Sequence, residues 1–433
     1  MMKAVTLLRR IWIRTDPYAI RGVVRTYRKG MRLFWWYGVF LSMSSAFVDS
    51  FVTLYVLSLG ATRVQVGLLA SLASFFGMLM PIPGAQWATL WGKRKPVVLI
   101  SYGLRYVALV GALLLPQFGA GPVIVMVVIG LFALRAAFLH LGLSPWTSFA
   151  GDIVPSDRRG RFFSSRKTVM ALASLILVPL AGQFIGLFPE PIGYRISFGV
   201  AVVFGLFSLV LFSRIPERRE GAGEPHHRLH LAFWDVLKRD PVFWRFTLIS
   251  MVFNFAWQMG GPYFGVYEVE VLGATASIIG WLAMASAFMR MIGQQVWGRA
   301  TDRRGSQWAF SACMLFIPFI PFIWLPLTAA WQLIFVVVPS GFLWAGREIA
   351  SFNLLLELAD KERQTEAIAS YNTLLAMANI AGPLVGGQLV QALGYRWTFA
   401  LSGGGRVIAA VMFLMLLKPF NLSRLTQPFR ARA

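Results

Sequence analysis

The chain has 433 residues, of which 57% are hydrophobic and 14% charged, and its formal net charge is +23. This composition is too apolar for a soluble protein of this length and is typical of one that crosses a membrane many times. The excess of Lys and Arg would suggest a nucleic-acid partner for a soluble protein. In a membrane protein it is better explained by basic loops kept in the cytoplasm, so no nucleic acid is expected.

Cysteine usage gives no sign of a disulfide or a metal site. The single cysteine, Cys313, lies inside an apolar run and has no second cysteine to pair with. No His/Cys cluster has metal-ligand spacing, and no bound cofactor is expected. The basic residues of the N-terminus are spread out and are not followed by a short apolar core with a small-residue cleavage site, so no cleavable signal peptide is predicted.

Residues 1–33 are predicted to form a basic cytoplasmic arm. Between residues 18 and 32, basic side chains occupy one helical face and apolar side chains the other, which predicts an amphipathic helix in the plane of the lipid headgroups. A solvated charged arm is the alternative. The apolar face consists of Ile20, Val23, Val24, Tyr27 and Met31.

Twelve apolar runs follow, and each is long enough to cross about 30 Å of hydrocarbon at about 1.5 Å per residue. The expected fold class is an all-α polytopic membrane protein with twelve transmembrane helices in two pseudo-symmetric bundles of six. The N-terminal bundle is predicted over residues 34–213 and the C-terminal bundle over 243–418. A polar cytoplasmic linker covers 214–242, and a basic cytoplasmic tail covers 419–433.

The distribution of basic residues predicts the orientation of the chain. If alternate loops are assigned to the cytoplasm, 33 of the 41 Lys and Arg lie in or beside cytoplasmic segments, three lie in the opposite loops and five lie within spans. Basic residues are retained on the cytoplasmic side of a membrane, so both termini are predicted to be cytoplasmic and the protein to reside in the cytoplasmic membrane.

A spaced motif lies in the turn between spans 8 and 9, where Gly298, Asp302, Arg303 and Gly305 spell G-x-x-x-D-R-x-G. This pattern resembles the cytoplasmic loop signature of the major facilitator superfamily, which joins the second and third helices of each six-helix half. The resemblance implies the twelve-helix fold of that family and a gating role for this loop.

The two halves also match each other in sequence, which indicates a duplicated half rather than a solenoid. Asp302 has no acidic counterpart, because Thr89 occupies its place in the first copy. The matching pairs are Leu59–Thr62 with Leu272–Thr275, Gly92 with Gly305, Asp152 with Glu357, and Pro179 with Pro383.

Asp302 is expected to cap the N-terminus of a neighbouring helix, where free backbone N–H groups and the helix dipole favour a negative charge. The resemblance places that helix in the other half, near Ser164, so that Arg303 and Arg304 would meet Asp152 or Asp157. Such contacts would close the cytoplasmic side and break when it opens. The alternative is that this turn only secures topology and tight helix packing.

Charged side chains at membrane depth cost at least about 2.5 to 3.5 kcal/mol each, so every one needs a partner or a wet cavity. The family resemblance implies that spans 1, 4, 7 and 10 line the substrate cavity, and all four carry deep polar groups. We expect the arginines among them to bind the substrate or its anionic part. These cavity residues are Arg135, Asn254, Trp257, Gln258 and Arg347.

Three further residues in these spans are candidates for proton coupling. Asp49 or Glu348 is expected to change its protonation during transport, and His140 is expected to relay protons. The alternative is that Asp49 pairs with Arg135 and Glu348 with a nearby cation, as permanent ion pairs that only hold helices in register. A packed, hydrogen-bonded role is the alternative for His140.

Three other features are expected to be structural. Residues 382–387 read G-P-x-x-G-G, a form that drug antiporters of this superfamily carry in span 5, whereas here it lies in span 11. Small residues let helices approach closely, and close packing is the preferred interpretation. Arg290 and Arg406 are expected to be structural or to extend towards the cytoplasmic side.

Together these features predict a secondary active transporter that moves a small molecule by alternating access, coupled to protons and acting as a monomer in the bilayer. No nucleotide-binding motif G-x-x-x-x-G-K-[ST] is present, and no nucleophile, base and acid are arranged as in an enzyme. An exporter of lipophilic, drug-like compounds is one alternative. A non-transporting receptor or scaffold with the same fold is the other.

Overall fold

A computed structural model of the protein describes residues 18, 20, 25–119, 121–155, 158–217, 241–359 and 364–417. All regular elements in these residues are helical, which confirms the predicted all-α fold class. Nine helices in this part of the chain are long and apolar enough to cross a membrane. The number of twelve spans stays a prediction. The tail, most of the arm and the linker from residue 218 to residue 240 lie outside the described residues.

The helices form two compact units. The first unit comprises Met1–Ala61 and Phe76–His226, and the second comprises Thr62–Phe75 and His227–Ala433. The helices up to residue 213 are α1 (Arg25–Ala46), α2 (Val52–Ser58), α3 (Arg63–Leu79), α4 (Pro81–Trp91), α5 (Lys95–Leu114), α6 (Pro122–Leu141), α7 (Leu143–Ile153), α8 (Arg159–Gly186) and α9 (Ile192–Ser213).

Among the described residues, the second unit contains six further helical elements together with the first part of α3, up to Phe75. Short 3₁₀ turns extend some of them, as they also do after α5. The six helices are α10 (Pro241–Glu270), α11 (Ala276–Arg304), α12 (Ser306–Phe316), α13 (Ile320–Ile323), α14 (Ile334–Leu358) and α15 (Gln364–Leu417).

The last two predicted spans meet at a single non-helical residue. The element α15 consists of two helices joined at Gly394, which has φ 81° and ψ 174°. Glycine adopts this conformation without the steric cost that a Cβ would bring. The two arms of α15 on either side of Gly394 therefore change direction at a single residue.

Helix α1 begins before the first predicted span. It runs without interruption from Arg25 to Ala46, so residues 25–32 are its first turns. The position of residues 18–32 in the headgroup plane stays a prediction. Three side chains of the predicted face pack inside the first unit: Ile20 and Met31 belong to a buried core with Trp35, and Tyr27 packs against it. Residues 21–24 lie outside the described residues.

The two halves repeat one turn in detail. Gly60 and Gly273, which match in the sequence alignment, both have positive φ, at 89° and 67°. A threonine two residues later caps the next helix: Thr62 exchanges hydrogen bonds with Gln65, and the Thr275 hydroxyl accepts from the Ile278 N–H. A glycine turn followed by a threonine N-cap thus starts a long helix in each half.

Helix α10 packs closely against both arms of α15. The Tyr263 hydroxyl donates to the Pro383 carbonyl at 2.5 Å, and the Ser402 hydroxyl donates to the Ala256 carbonyl at 2.7 Å. A Cβ on Gly386 would lie 2.0 Å from the Met259 carbonyl oxygen. The G-P-x-x-G-G segment therefore permits backbone-to-backbone approach, as expected for small residues in membrane helices.

Replacing Gly386 by alanine should destabilise the protein, because the new methyl group would meet the α10 backbone at Met259 and the buried ring of Tyr263. We expect a loss of about 1–3 kcal/mol in the free energy of unfolding, measured as a lower thermal unfolding temperature in detergent. Gly404→Ala on the same helix is the control, since a Cβ there meets nothing within 4 Å. Equal unfolding temperatures for the two variants would contradict the close packing.

Candidate functional site

In the first unit, an acid and an arginine form an ion pair next to a break in the helix. Residues 47–51 form turns between α1 and α2, and Asp49 lies in that break. The Arg135 Nη2 on α6 donates to the Asp49 Oδ1 at 2.7 Å. The arginine side chain is 12% exposed, whereas the aspartate side chain is 52% exposed. The carboxylate is therefore accessible, although its partner is almost buried.

Two more basic groups lie close to this pair. Arg105 on α5 is buried, and its charge acts on both Asp49 and Arg135. The Nε atoms of both arginines have no acceptor among the described residues. His140, near the end of α6, has its ring 3.3 Å from the point where a Cβ of Gly77 would lie. One carboxylate thus faces two guanidinium groups, which leaves this region with a net positive charge.

The second unit contains a corresponding pair on different helices. The Arg290 Nη1 on α11 donates to the Glu348 Oε1 on α14 at 2.8 Å. Their side chains are 41% and 53% exposed. The prediction treated Arg290 only as a structural or extended residue, so its position as the partner of Glu348 was missed.

Arg347 is adjacent to Glu348 in sequence but is buried among aromatic rings. Its guanidinium carbon lies 4.5 Å from the ring centre of Phe253 and 5.1 Å from that of Trp344. Its Nε has no acceptor among the described residues. Arginine stacks on aromatic faces favourably, which partly replaces the counter-ion that is missing here.

Arg406 on α15 is a second buried arginine in this unit, so of its two expected roles it does not show extension towards the cytoplasmic side. Only 1% of its surface is exposed. Its Nη2 donates to the Ser402 hydroxyl at 3.1 Å and, at 3.5 Å, to the main-chain carbonyl of Trp257. Arg406 therefore contacts the main chain of Trp257, which is one of the predicted cavity residues.

The three polar residues predicted on the seventh span have different environments. The Asn254 amide is buried and donates to the Ser250 carbonyl of its own helix, so it is satisfied locally. Trp257 is half-buried, and its ring centre lies 4.6 Å from that of Trp344. Gln258 is half-buried against Gly382. The tryptophan pair and Arg347 are thus brought together, whereas Asn254 is directed into its own helix.

The predicted gating loop is the junction of α11 and α12. Gly305 has a φ of 86°, which explains why glycine ends the motif. Asp302 and Arg303 are exposed in the last turn of α11. A carboxylate near the C-terminal end of a helix interacts unfavourably with the dipole of that helix. This position is therefore consistent with an interaction between Asp302 and another helix. Gly298 has open space around it, so close packing does not explain that residue.

Carboxylates also organise the matching turn of the first unit. Glu217 accepts from the backbone N–H groups of Arg94 and Lys95, which start α5. The Arg94 side chain pairs with Asp152, so the predicted gating partner Asp152 already has a partner within its own unit. The matching acid of the second half, Glu357, accepts from the Ser306 hydroxyl at the start of α12. Asp157 lies outside the described residues.

A three-residue cluster lies in the second unit, at the end of its helices opposite the turn at Gly305. The Glu270 Oε2 accepts from the Arg63 Nη2 at 3.1 Å and from the Tyr395 hydroxyl at 2.6 Å. The Arg63 guanidinium carbon also lies 4.8 Å from the Tyr395 ring centre. This Arg63–Glu270–Tyr395 cluster joins the start of α3, the end of α10 and the break in α15, and the sequence did not reveal it.

The residues that sequence reasoning missed share one signal. Arg63, Arg105, Arg290 and Arg406 are basic residues at or inside predicted spans, where a charge needs compensation. Arg166 was counted with the loop that begins at residue 158, but it is buried in α8. Searching every such arginine for a partner would have identified this set.

Comparison with known proteins shows which family the chain belongs to. The sequence profile of the Major Facilitator Superfamily matches residues 34–346 and 269–431, and the chain is a member of that superfamily. It is therefore a multi-pass membrane transporter, a carrier and not an enzyme.

Two relatives were found by sequence. A Deinococcus radiodurans protein named for sugar efflux is 23% identical over 392 residues, which cover 86% of this chain and 94% of that protein. The human MFS-type transporter SLC18B1 is 22% identical over 250 residues, which cover 53% of this chain and 52% of the relative. The match thus spans about half the length of the human protein.

Solved structures share the fold at low sequence identity. The nucleoside transporter NupG aligns with a TM-score of 0.70 and 13% identity, over 91% of this chain and 100% of that chain. A bacterial homologue of the iron transporter ferroportin, in an inward-facing state, aligns with a TM-score of 0.69 and 16% identity, over 92% and 99%. At these identities the likeness concerns the fold alone.

Removing the arginine of the Arg63–Glu270–Tyr395 cluster should loosen the start of α3. Because the ion pair is partly exposed, it contributes up to about 1 kcal/mol. We expect Arg63→Gln to speed hydrogen exchange of residues 63–75 about fivefold, measured by mass spectrometry. Arg396→Gln, which removes a neighbouring exposed arginine, should leave that exchange unchanged. The same exchange rate in both variants would show that the cluster does not hold α3.

Proposed function

We propose that this carrier is a proton-coupled secondary active transporter that moves a small molecule by alternating access. The observation that carries the proposal is that each unit holds a half-exposed carboxylate paired with an arginine: Asp49 with Arg135, and Glu348 with Arg290. A carboxylate that is accessible and also paired can take up a proton and release its partner in the same step.

The consequence of protonation differs from that in a permanent structural pair. A neutral Asp49 would leave the Arg135 and Arg105 charges without a counter-ion in a low-dielectric region, where an unpaired charge is costly. The positive charge left on these arginines then attracts an anionic substrate to the protein. Proton uptake and the binding of an anion thus favour each other, which couples their movements. His140 lies near enough to Arg105 to sense its charge, and we propose it as the proton relay.

The orientation and organisation follow from the sequence argument. We propose that the turns at Gly92 and Gly305 face the cytoplasm with both termini, since basic residues concentrate in these loops. The protein would then act as a monomer in the cytoplasmic membrane. The N-terminal bundle is placed at residues 34–213 and the C-terminal bundle at 243–418, joined by the linker.

A second candidate function is export of lipophilic compounds. It is favoured by the paired, half-buried rings of Trp257 and Trp344, which offer apolar surface to a ligand. The buried arginines beside these rings argue against lipophilic cations as the cargo, because like charges repel. A receptor or scaffold without transport would have no use for accessible charged pairs at such a cost.

The role of Asp49 is tested by transport into proteoliposomes that contain a pH-sensitive dye. Pools of anionic metabolites, sugars and lipophilic cations are added outside. We expect one pool to drive proton movement with the wild type, and we expect Asp49→Asn to abolish that movement because the variant cannot exchange the proton. The control is Glu190→Gln, which removes a carboxylate in an exposed turn.

Unchanged proton movement in Asp49→Asn would return Asp49 to a structural role and make Glu348 the coupling residue. Glu348→Gln should then show the loss. Substrate transport without proton movement in the wild type would refute proton coupling but leave the carrier assignment intact.

The role proposed for Asp302 is tested by distance measurements. We expect Asp302→Asn to increase the population in which the cytoplasmic side is open, because the neutral side chain stabilises a helix N-terminus less than a carboxylate does. Spin labels at positions 93 and 299, both exposed, report the distance in a Cys313→Ala background. Asp302→Glu keeps the charge and serves as the control. Identical distance distributions for Asp302→Asn and wild type would contradict the gating role proposed for Asp302.

A further inference from the structure

The second unit holds two buried guanidinium groups that form no ion pair with a carboxylate in the part of the chain that the structure describes. Arg347 and Arg406 are 9% and 1% exposed, and neither forms an ion pair among the described residues. They are near enough for their charges to repel each other. Keeping two such cations in a low-dielectric interior is costly unless an anion is bound during the working cycle.

Aromatic surface lies next to these charges. The ring centres of Trp257 and Trp344 are 4.6 Å apart with an interplanar angle of 38°, and both residues are half-buried. Arg347 stacks over Trp344, and Arg406 donates to the main chain of Trp257. The accessible indole faces therefore lie beside both guanidinium groups, with Phe253 completing the apolar wall around Arg347.

We propose that the substrate is an anion that carries a planar aromatic ring, bound in the second unit by Arg347 and the Trp257–Trp344 pair. This proposal rests on the transport function above and names its substrate class. Arg347, whose Nε has no acceptor, meets the anionic group. The two indoles stack on the ring, and Arg406 adds attraction for the negative charge from behind Trp257.

Other substrate chemistries fit these residues less well. A lipophilic cation would stack on the indoles but would be repelled by two positive charges. A neutral sugar could also stack on the rings, yet it would leave both guanidinium groups uncompensated. Only a compound with both a negative charge and a flat ring uses all the groups that lie together here.

The experiment measures calorimetric binding to the full-length protein in lipid nanodiscs, with empty nanodiscs as the blank. The probes are 1-naphthaleneacetate, its neutral amide 1-naphthaleneacetamide, and cyclohexaneacetate, which keeps the charge but lacks the aromatic ring. We expect the wild type to bind 1-naphthaleneacetate at least about tenfold more tightly than either of the other two.

Two variants separate the roles of charge and ring. Arg347→Gln should lose the preference for acid over amide, and Trp344→Leu should lose the preference for naphthalene over cyclohexane while still preferring an acid. Arg396→Gln, which removes an exposed arginine of the same unit, should bind as the wild type does. Because each result is a ratio between probes on one variant, a general loss of stability cannot produce it.

Some outcomes overturn this proposal without affecting the proposed function. Equal binding of the acid and the amide by the wild type would refute the requirement for a negative charge. Equal binding of naphthaleneacetate and cyclohexaneacetate would refute the requirement for an aromatic ring. An unchanged acid preference in Arg347→Gln would remove that residue from the site. Conversely, preferred binding of naphthaleneacetate without proton movement in proteoliposomes would refute proton coupling and leave the substrate class in place.

Discussion

The compensation of positive charge inside apolar helices is the constraint on which the described structure depends. The chain has more than twice as many basic as acidic residues, so carboxylates cannot neutralise every buried arginine. Two deep arginines receive a carboxylate, namely Arg135 and Arg290. Arg166 and Arg347 are packed against aromatic rings instead, with the Arg166 guanidinium carbon 4.8 Å from the ring centre of Phe34. The high aromatic content thus has an electrostatic use besides packing.

The few acidic residues of the chain also stabilise helix ends. Glu217 satisfies two backbone N–H groups at the start of α5, where the helix dipole makes a negative charge most effective. Asp152 and Glu357, which match in the internal repeat, each hold the turn that follows the second long helix of their half. Both halves therefore carry an acid at this position, but its partner is Arg94 in the first half and Ser306 in the second.

Much of the fold could be predicted because hydropathy and loop charge are properties of single segments. The pairing of Asp49 with Arg135 was predictable for a related reason, since both are costly at depth and few partners exist. The direction of a side chain around its helix was not predictable. A membrane helix is apolar on all sides, so its sequence carries little of the periodicity that identifies the packed face of a soluble helix. Asn254 is an example, because it turned out to bond to its own helix.

Interactions that depend on two distant segments were also beyond the sequence. Arg290 aligns with Gly77 in the internal repeat, so no symmetry argument could assign it a partner. In the first unit the space beside Gly77 is taken by His140, whereas in the second unit the arginine reaches Glu348. The two halves thus have residues of different chemistry, Gly77 and Arg290, at one repeated position.

This asymmetry gives the two ion pairs different consequences for coupling. Arg290 is 41% exposed, and a partly exposed pair such as that with Glu348 opens at less cost than a buried one. Arg135 is 12% exposed and has the buried charge of Arg105 beside it, so loss of the Asp49 charge leaves cations that water cannot screen. Under the proposed coupling, a proton on Asp49 would therefore leave more uncompensated positive charge than a proton on Glu348. It would also raise the affinity for an anionic substrate more, which favours the break between α1 and α2 as the point of coupling.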